Sequence, residues 1–357
     1  MNEQEAMSRA LELALRGWGK VHEDPLVGAV VLKDGEPVGE GWHPEYGDRH
    51  AETVALAEAG ERARGATLVV SLEPCTHHGK QPPCTDAIIQ AGIARVVAAM
   101  RDPNPLAAGG CERLREAGIE VVFGPLSEGA ATLNARFLHA LREPGRPFIA
   151  LKLATTLDGR IADAFGRSRW ISGVASREYV QWLRAGFDAI AVGGRTARLD
   201  DPALTVRGPV SPRMPPRRVV FDRIADLSPN LTLLRTANET PTVVVVAPDA
   251  DQARVKRLES MGASVIRAAS LAAALGSLRG QGIGSLLVEG GGQLAGALLA
   301  AGLVDRYYWL QSPIWLGEGG VPGLAGLPTR GLDEAERWRV VERRPLGDDT
   351  LLVLDRR

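Results

Sequence analysis

Apolar and polar positions along this chain switch repeatedly between a helical period and a strand-like one. Met7, Ala10, Leu11, Ala14 and Leu15 share one face of a helix over 3–16, which Trp18 and Gly19 close. Val27–Lys33 reads as a buried strand and Val38–Trp42 as its return. Lys33-Asp34-Gly35-Glu36 between them is a hairpin turn, because Asp-Gly tolerates positive φ. A helix opens at His50 and runs through Leu56 to Ala59, and a strand over Thr67–Leu72 delivers Cys75. Cys84 starts the next helix, Thr85–Ala91. Arg95–Met100 is a strand, Asp102-Pro103-Asn104-Pro105 a turn, 112–117 a helix and 119–123 a strand, and Ser127–Leu141 reads as one helix. Elements alternating in this way predict an α/β layered domain.

Arg142-Glu143-Pro144-Gly145-Arg146-Pro147 interrupts the pattern, and its two prolines and a glycine among charges read as a linker. The expected domains are therefore 1–143 and 147–357. The second begins with a strand over Phe148–Leu153, a turn at Leu157-Asp158-Gly159-Arg160 and a helix over Ser176–Ala185. Strands follow at Ala189–Val192, Val219–Asp222, Thr242–Ala247, Ser264–Ala268 and Ser285–Glu289. The last runs into Gly290-Gly291-Gly292 and a helix through Leu298, and 304–316 and 338–354 close the sheet.

Composition narrows the function. The length of 357 residues suits two domains, and 45% hydrophobic residues supply cores for both. A net charge of −1 leaves no basic excess for tracking a phosphate backbone, which argues against a nucleic-acid partner. No apolar run is long enough to span a membrane, and the acidic start Met1-Asn2-Glu3-Gln4-Glu5 lacks a signal core. Three cysteines make no disulfide framework, and, read as reduced, they fit a cytoplasmic enzyme. Cys111 has no motif around it and reads as packing.

The chemistry is concentrated in His50-Ala51-Glu52 and in Leu72-Glu73-Pro74-Cys75 through Cys84. One histidine and two cysteines offer three zinc ligands and leave a position open for water, the coordination of a catalytic zinc. Glu52 is then the expected proton carrier, since H-x-E followed by Pro-Cys and a second Cys is the zinc-deaminase signature. Nine positions separate Cys75 from Cys84, where nucleic-acid deaminases have a tight C-x-x-C. In the second half, Gly290-x-Gly292-x-x-Ala295 between strand and helix suits a phosphate or pyrophosphate. A tight turn is the plain alternative, because a dinucleotide fingerprint normally opens its domain.

Over nearly its whole length the chain resembles the bifunctional riboflavin-biosynthesis deaminase/reductase family. In the first half the matching stretches include Val27-Gly28-Ala29-Val30, Gly41-Trp42-His43, His50-Ala51-Glu52, Leu72 through Cys84 with its His77-His78-Gly79-Lys80 loop, and Asp102-Pro103-Asn104-Pro105. In the second they include Leu151-Lys152-Leu153-Ala154, Leu157-Asp158-Gly159, Ser168-Arg169-Trp170-Ile171-Ser172, Leu183-Arg184-Ala185, Asp200 through Arg207, and Val288-Glu289-Gly290-Gly291. The resemblance implies a cytidine-deaminase-like α/β/α domain followed by a dihydrofolate-reductase-like α/β domain. It implies deamination of 2,5-diamino-6-ribosylamino-4(3H)-pyrimidinone 5′-phosphate, then NADPH-dependent reduction of the ribosyl group to ribityl. One zinc per chain, NADPH, a small pyrimidine ribotide substrate and a homo-oligomer, dimer or tetramer, follow as expectations.

The same resemblance distributes the site residues. His50, Cys75 and Cys84 hold zinc, Glu52 moves the proton, and Asp24, His77 and Lys80 meet the first substrate. Ser168, Arg184, Leu204, Arg207 and Glu289 meet the second. NADPH falls to Ala154, Trp170, Thr196 and Asp200, with the turn and helix of Gly291, Gly292, Gln293, Leu294, Ala295, Gly296 and Ala297. The chain departs from the family pattern at Asp24-Pro25, where Asn-Pro is usual, and at Arg49, where proline is common. The segment Leu106–Gly110 is one residue short and lacks a basic residue. Three rival readings remain: a nucleic-acid deaminase with a C-terminal binding domain, a chain with one live domain, and a non-catalytic interaction protein.

Overall fold

In the computed structural model, which describes residues 1–357, the first helix, α1 (Glu3–Ala14), opens on a reciprocal cap. The Asn2 side chain accepts from the Glu5 N–H and the Glu5 carboxylate accepts from the Asn2 N–H, both at 2.9 Å. The chain divides into two units, Met1–Glu143 and Pro144–Arg357.

In the first unit α1 is followed by β1 (Gly28–Lys33), β2 (Glu36–Trp42), α2 (Ala51–Ala59), β3 (Thr67–Val70), α3 (Cys84–Ala91), β4 (Arg95–Ala98), α4 (Gly110–Glu116), β5 (Glu120–Phe123), α5 (Ser127–Leu133) and α6 (Ala135–Arg142). The sheet order is β2-β1-β3-β4-β5, with β1 antiparallel to both neighbours and β3, β4 and β5 parallel. Strand alternation feeds two cores. Ala29 and Val31 pack with Ala51, Ala55 and Ile88, and Val30 and Leu32 with Met7, Ala10 and Leu13. This is the α/β/α layering expected, and each fully buried Met7 or Leu13 contributes roughly 1.5–3 kcal/mol.

The single helix expected over Ser127–Leu141 is two helices, broken at Asn134. The buried Asn134 amide accepts from the Leu26 N–H at 2.7 Å and donates to the Leu26 carbonyl at 2.9 Å. A long-range backbone clamp at this residue outweighs the helical periodicity around it.

The second unit runs β6 (Phe148–Thr155), β7 (Arg160–Ala162), α7 (Val174–Ala185), β8 (Ala189–Gly193), α8 (Gly194–Asp200), β9 (Arg217–Phe221), α9 (Thr232–Arg235), β10 (Thr242–Val246), α10 (Gln252–Ser260), β11 (Ser264–Arg267), α11 (Leu271–Gly280), β12 (Ser285–Glu289), α12 (Gly292–Ala300), β13 (Arg306–Gln311), β14 (Val321–Pro322), β15 (Arg339–Leu346) and β16 (Asp349–Asp355). Nine strands form one sheet in the order β11-β10-β9-β8-β12-β6-β13-β16-β15, and β7 pairs with β14. It is parallel from β11 through β13, after which β16 and β15 add as an antiparallel hairpin. The closing stretch 338–354 is thus two strands. Helices α8 to α11 were not expected. The loops leaving β6, β8, β9 and β12 converge at the sheet's carboxyl end, where an open α/β sheet places its ligand. Arg146 anchors the start of the unit through two 2.7 Å hydrogen bonds to Asp305.

Candidate functional site

His50 precedes α2 with extended backbone, so its ring is free of the helix's own hydrogen bonding. Cys75 lies in the loop after β3, and Cys84 is the first residue of α3, fully buried. Two glycines seat these elements: a Cβ on Gly41 would lie 2.2 Å from the Ala51 carbonyl, and one on Gly110 would lie 1.7 Å from that of Pro74. Nδ1 of His50 is 3.1 Å from Sγ of Cys84 and 3.5 Å from Sγ of Cys75. The three donor atoms all lie within 4.8 Å of one another. One imidazole and two thiols at that spacing fit zinc, which sits about 2.0–2.3 Å from such ligands and keeps a fourth position open.

The three groups share charge and protons among themselves. The Cys84 thiol and the His50 ring hold the Cys75 thiol down to about 4, leaving a thiolate. The neighbouring Cys75 in turn pushes Cys84 up, and the same sulfur raises His50 to about 9 against the opposing effect of burial. Glu52, in the first turn of α2 and 3% exposed, has its carboxyl raised by burial. A carboxyl so placed takes up and releases protons readily.

Beside this cluster is a cavity of about 200 Å³ lined by Asp24, His77 and Lys80 together with His43, Asp102 and Asn104. The Lys80 ammonium sits 3.5 Å over the Tyr46 ring. Nδ1 of His77 is buried without a hydrogen-bond partner, the kind of atom a bound ligand satisfies. Asp102 accepts from the Asn104 N–H at 2.9 Å, its own N–H donates to the buried Glu73, and burial pushes its carboxyl up to about 6. His43, Asp102 and Asn104 lie in stretches that match the family, yet nothing local marks them as pocket-lining.

The second unit holds a cleft of about 1500 Å³ at the carboxyl end of its sheet. Ala154, Ser168, Trp170, Thr196, Asp200 and Leu204 line it, as do Arg184, Arg207 and Glu289. From the glycine turn Gly291, Gly292, Gln293, Leu294 and Ala297 reach it. Ala295 and Gly296 do not: Ala295 is in the core, and a Cβ on Gly296 would lie 1.9 Å from the Ala325 carbonyl. Leu204, buried, is held at φ +49°.

Arg184 and Glu289 form a two-point ion pair at 2.6 and 2.9 Å, and Arg184 also donates to the Thr205 carbonyl at 2.9 Å. A guanidinium has five N–H donors, so Arg184 keeps two for the cleft. Burial opposes the Glu289 charge, but Arg184 and Lys152 outweigh it and hold the carboxyl below its usual range. Lys152 stands opposite Glu289 in the β6–β12 ladder and lines the cleft, and burial lowers its ammonium. Sequence reasoning passed over Lys152, although a lysine inside an otherwise apolar strand was a visible signal.

Comparison with known proteins gives two family matches. Residues 147–352 match the RibD C-terminal domain, and residues 1–100 match the cytidine and deoxycytidylate deaminase zinc-binding region. A riboflavin biosynthesis protein RibD from Escherichia coli is 42% identical, covering 99% of each chain. One from Aquifex aeolicus is 41% identical over 98% of this chain and 97% of that protein. Among solved structures, a Thermotoga maritima diaminohydroxyphosphoribosylaminopyrimidine deaminase/5-amino-6-(5-phosphoribosylamino)uracil reductase superposes with a TM-score of 0.84 at 36% identity, covering 99% of both chains. Acinetobacter baumannii RibD gives 0.82 at 36% identity, also over 99% of both.

Proposed function

The chain belongs to the RibD family of riboflavin biosynthesis proteins, and on that premise we propose that its two units perform consecutive steps, with the residues below in the stated roles. The protein is a zinc-dependent deaminase and an NADPH-dependent reductase. The observation that carries the assignment of residues is the convergence of His50, Cys75 and Cys84 beside the buried Glu52.

In the first unit His50, Cys75 and Cys84 hold zinc, which when bound supplies the positive charge that makes a water acidic enough to attack at neutral pH. Glu52 takes one proton from the water and passes it to the pyrimidine ring nitrogen, then takes the proton of the added hydroxyl and passes it to the amine, which leaves as ammonia. Asp24, His77 and Lys80 orient the diaminopyrimidinone ribotide, with His43, Asp102 and Asn104 completing the wall.

In the second unit bound NADPH would supply a hydride, and the cleft would present C1′ of the ring-opened ribosyl group to it. Trp170, Thr196, Asp200, Ala154 and the turn at Gly291–Leu294 hold the dinucleotide. Arg207, whose guanidinium has no partner in the protein, takes the substrate phosphate with the two spare donors of Arg184. Lys152, beside Glu289 on the cleft floor, is placed to hand a proton to the nitrogen as C1′ is reduced. Ser168 and Leu204 pack against the ribosyl chain.

No helix is long and apolar enough to cross a membrane. Three free cysteines support a cytoplasmic setting, and exposed Phe165, Trp315 and Leu332 support a homo-oligomer, dimer or tetramer, which light scattering tests. The deciding experiment incubates the protein with the diaminopyrimidinone ribotide, with and without NADPH. Ammonia release without NADPH, and NADPH oxidation only after deamination, are expected. Ammonia release without any later oxidation would leave only one live unit.

A further inference from the structure

Two arginines at one end of the second unit's cleft are neutralised by nothing in the protein. Arg195 is the second residue of α8, and Arg223 is the second residue beyond β9. Strands β8 and β9 are parallel neighbours with Gly193 opposite Phe221, so 194–195 and 222–223 leave the sheet side by side. Their closeness shows at Gly194, where a Cβ would lie 2.5 Å from Oδ1 of Asp222. Both arginine side chains are exposed and line the cleft, and neither makes an ion pair or a hydrogen bond.

The neighbouring acid is occupied. Asp222, 4% exposed, accepts from the Asp226 N–H at 2.7 Å and from Arg198 at 3.1 Å. A free carboxylate at such a strand end binds a ribose 2′-hydroxyl, whereas a nearby arginine accommodates a 2′-phosphate. An occupied acid flanked by two free guanidinium groups therefore favours the phosphate. Alongside, Phe221, Val245, Ala268 and Leu271 give the cleft an apolar wall suited to a purine ring.

We infer that Arg195 and Arg223 form the 2′-phosphate subsite by which the reductase selects NADPH over NADH. The inference rests on the reading of this cleft as the dinucleotide site, and it adds two residues and a specificity to that reading. A 2′-phosphate dianion meets the planar donor forks of both arginines. Because both are exposed, their contribution is screened by salt.

The test is calorimetric titration of the full-length protein with NADPH, NADH, 2′,5′-ADP and 5′-AMP. The variants are Arg195→Ala, Arg223→Ala, the double variant, Arg195→Lys and Arg223→Lys. Each alanine should weaken NADPH and 2′,5′-ADP about tenfold, and the pair about a hundredfold, as expected for charged hydrogen bonds. NADH and 5′-AMP should bind all variants as they bind the wild type, which also shows that the fold is intact. The lysine variants should keep most of the preference, and carry the test should an alanine variant not fold. In the wild type, added salt should weaken NADPH more than NADH, and that difference should vanish in the double variant. If the double variant keeps the wild-type NADPH-to-NADH ratio within about twofold, or loses both dinucleotides in parallel, the subsite is not here. A wild type that binds neither dinucleotide overturns the reading of the cleft, and the inference with it. A wild type that prefers NADPH beside an unchanged double variant overturns the inference alone.

Discussion

The carboxylate of Asp24 lies 3.1 Å from Nε2 of His43, whose Nδ1 faces the Arg49 carbonyl at the same distance. The His43 ring, 3% exposed, meets the His50 ring edge to face with centroids 5.5 Å apart. Asp24 is thus linked to His50 through a second histidine while it lines the cavity itself. One oxygen faces His43, and the other makes no hydrogen bond within the protein.

That arrangement makes Asp24 testable by isosteres. Asp24→Asn keeps an acceptor and should hold deaminase kcat/KM within about tenfold, the worth of one hydrogen bond. Asp24→Leu removes both partners and should lose far more. The comparison is made at equal zinc content. Three equal proteins would place Asp24 outside the working site, and an inactive wild type rescued by Asp24→Asn would mark the residue as a lesion.

Glu52→Gln preserves shape but cannot carry a proton. It should retain about one zinc per chain and lose deamination by at least ~10²-fold, whereas Cys84→Ser should lose the metal as well. Metal analysis alongside ammonia release separates the two. Normal turnover in Glu52→Gln would sink its role.

Asp102 predicts a pH dependence of stability. Its carboxyl is raised to about 6 by burial, above the ordinary unfolded value. The folded state therefore gains from the protonated form below about pH 4 and loses that gain as pH rises to about 6. Asp102→Asn, which keeps the acceptor for Asn104, removes this dependence. Relative to the wild type, the variant should gain roughly 3 kcal/mol between pH 4 and pH 7. Urea unfolding of the metal-loaded proteins across that range measures the difference, and parallel profiles would refute it.

Arg184 and Arg207 should separate by phenotype. Arg184→Ala leaves the nearly buried Glu289 with only Lys152 as a cation and should cost about 1.5–3 kcal/mol of stability, the worth of a hydrogen bond to a charged group. Arg207→Ala should leave stability unchanged and raise the reductase KM about tenfold or more, as for a lost charged hydrogen bond. Denaturation and steady-state kinetics on both variants read this out. An Arg207 variant that loses NADPH but keeps its substrate KM would reverse the assignment.

Each unit has its own sheet and cores, so each should fold alone. A fragment ending at Glu143 should deaminate, and one starting at Pro144, which keeps the Arg146–Asp305 pair, should reduce the deaminated product. Soluble, folded fragments that both lack activity would refute this.

Much of this protein is legible in local sequence. Strands such as Val27–Lys33 and Ser285–Glu289 show their burial as apolar runs, and His50-Ala51-Glu52 with Pro74-Cys75 shows the candidate metal cluster, because period and ligand spacing are short-range properties. Contacts between distant segments left no such trace. Asn134 breaks a helix to clamp Leu26, and Asp24 is spent partly on His43. Lys152 stands opposite Glu289 only because β6 and β12 are neighbours in the sheet, and Arg195 and Arg223 leave it side by side only because β8 and β9 are. Strand order joins residues far apart in the chain, and whether a charge is free or paired depends on what that order places beside it.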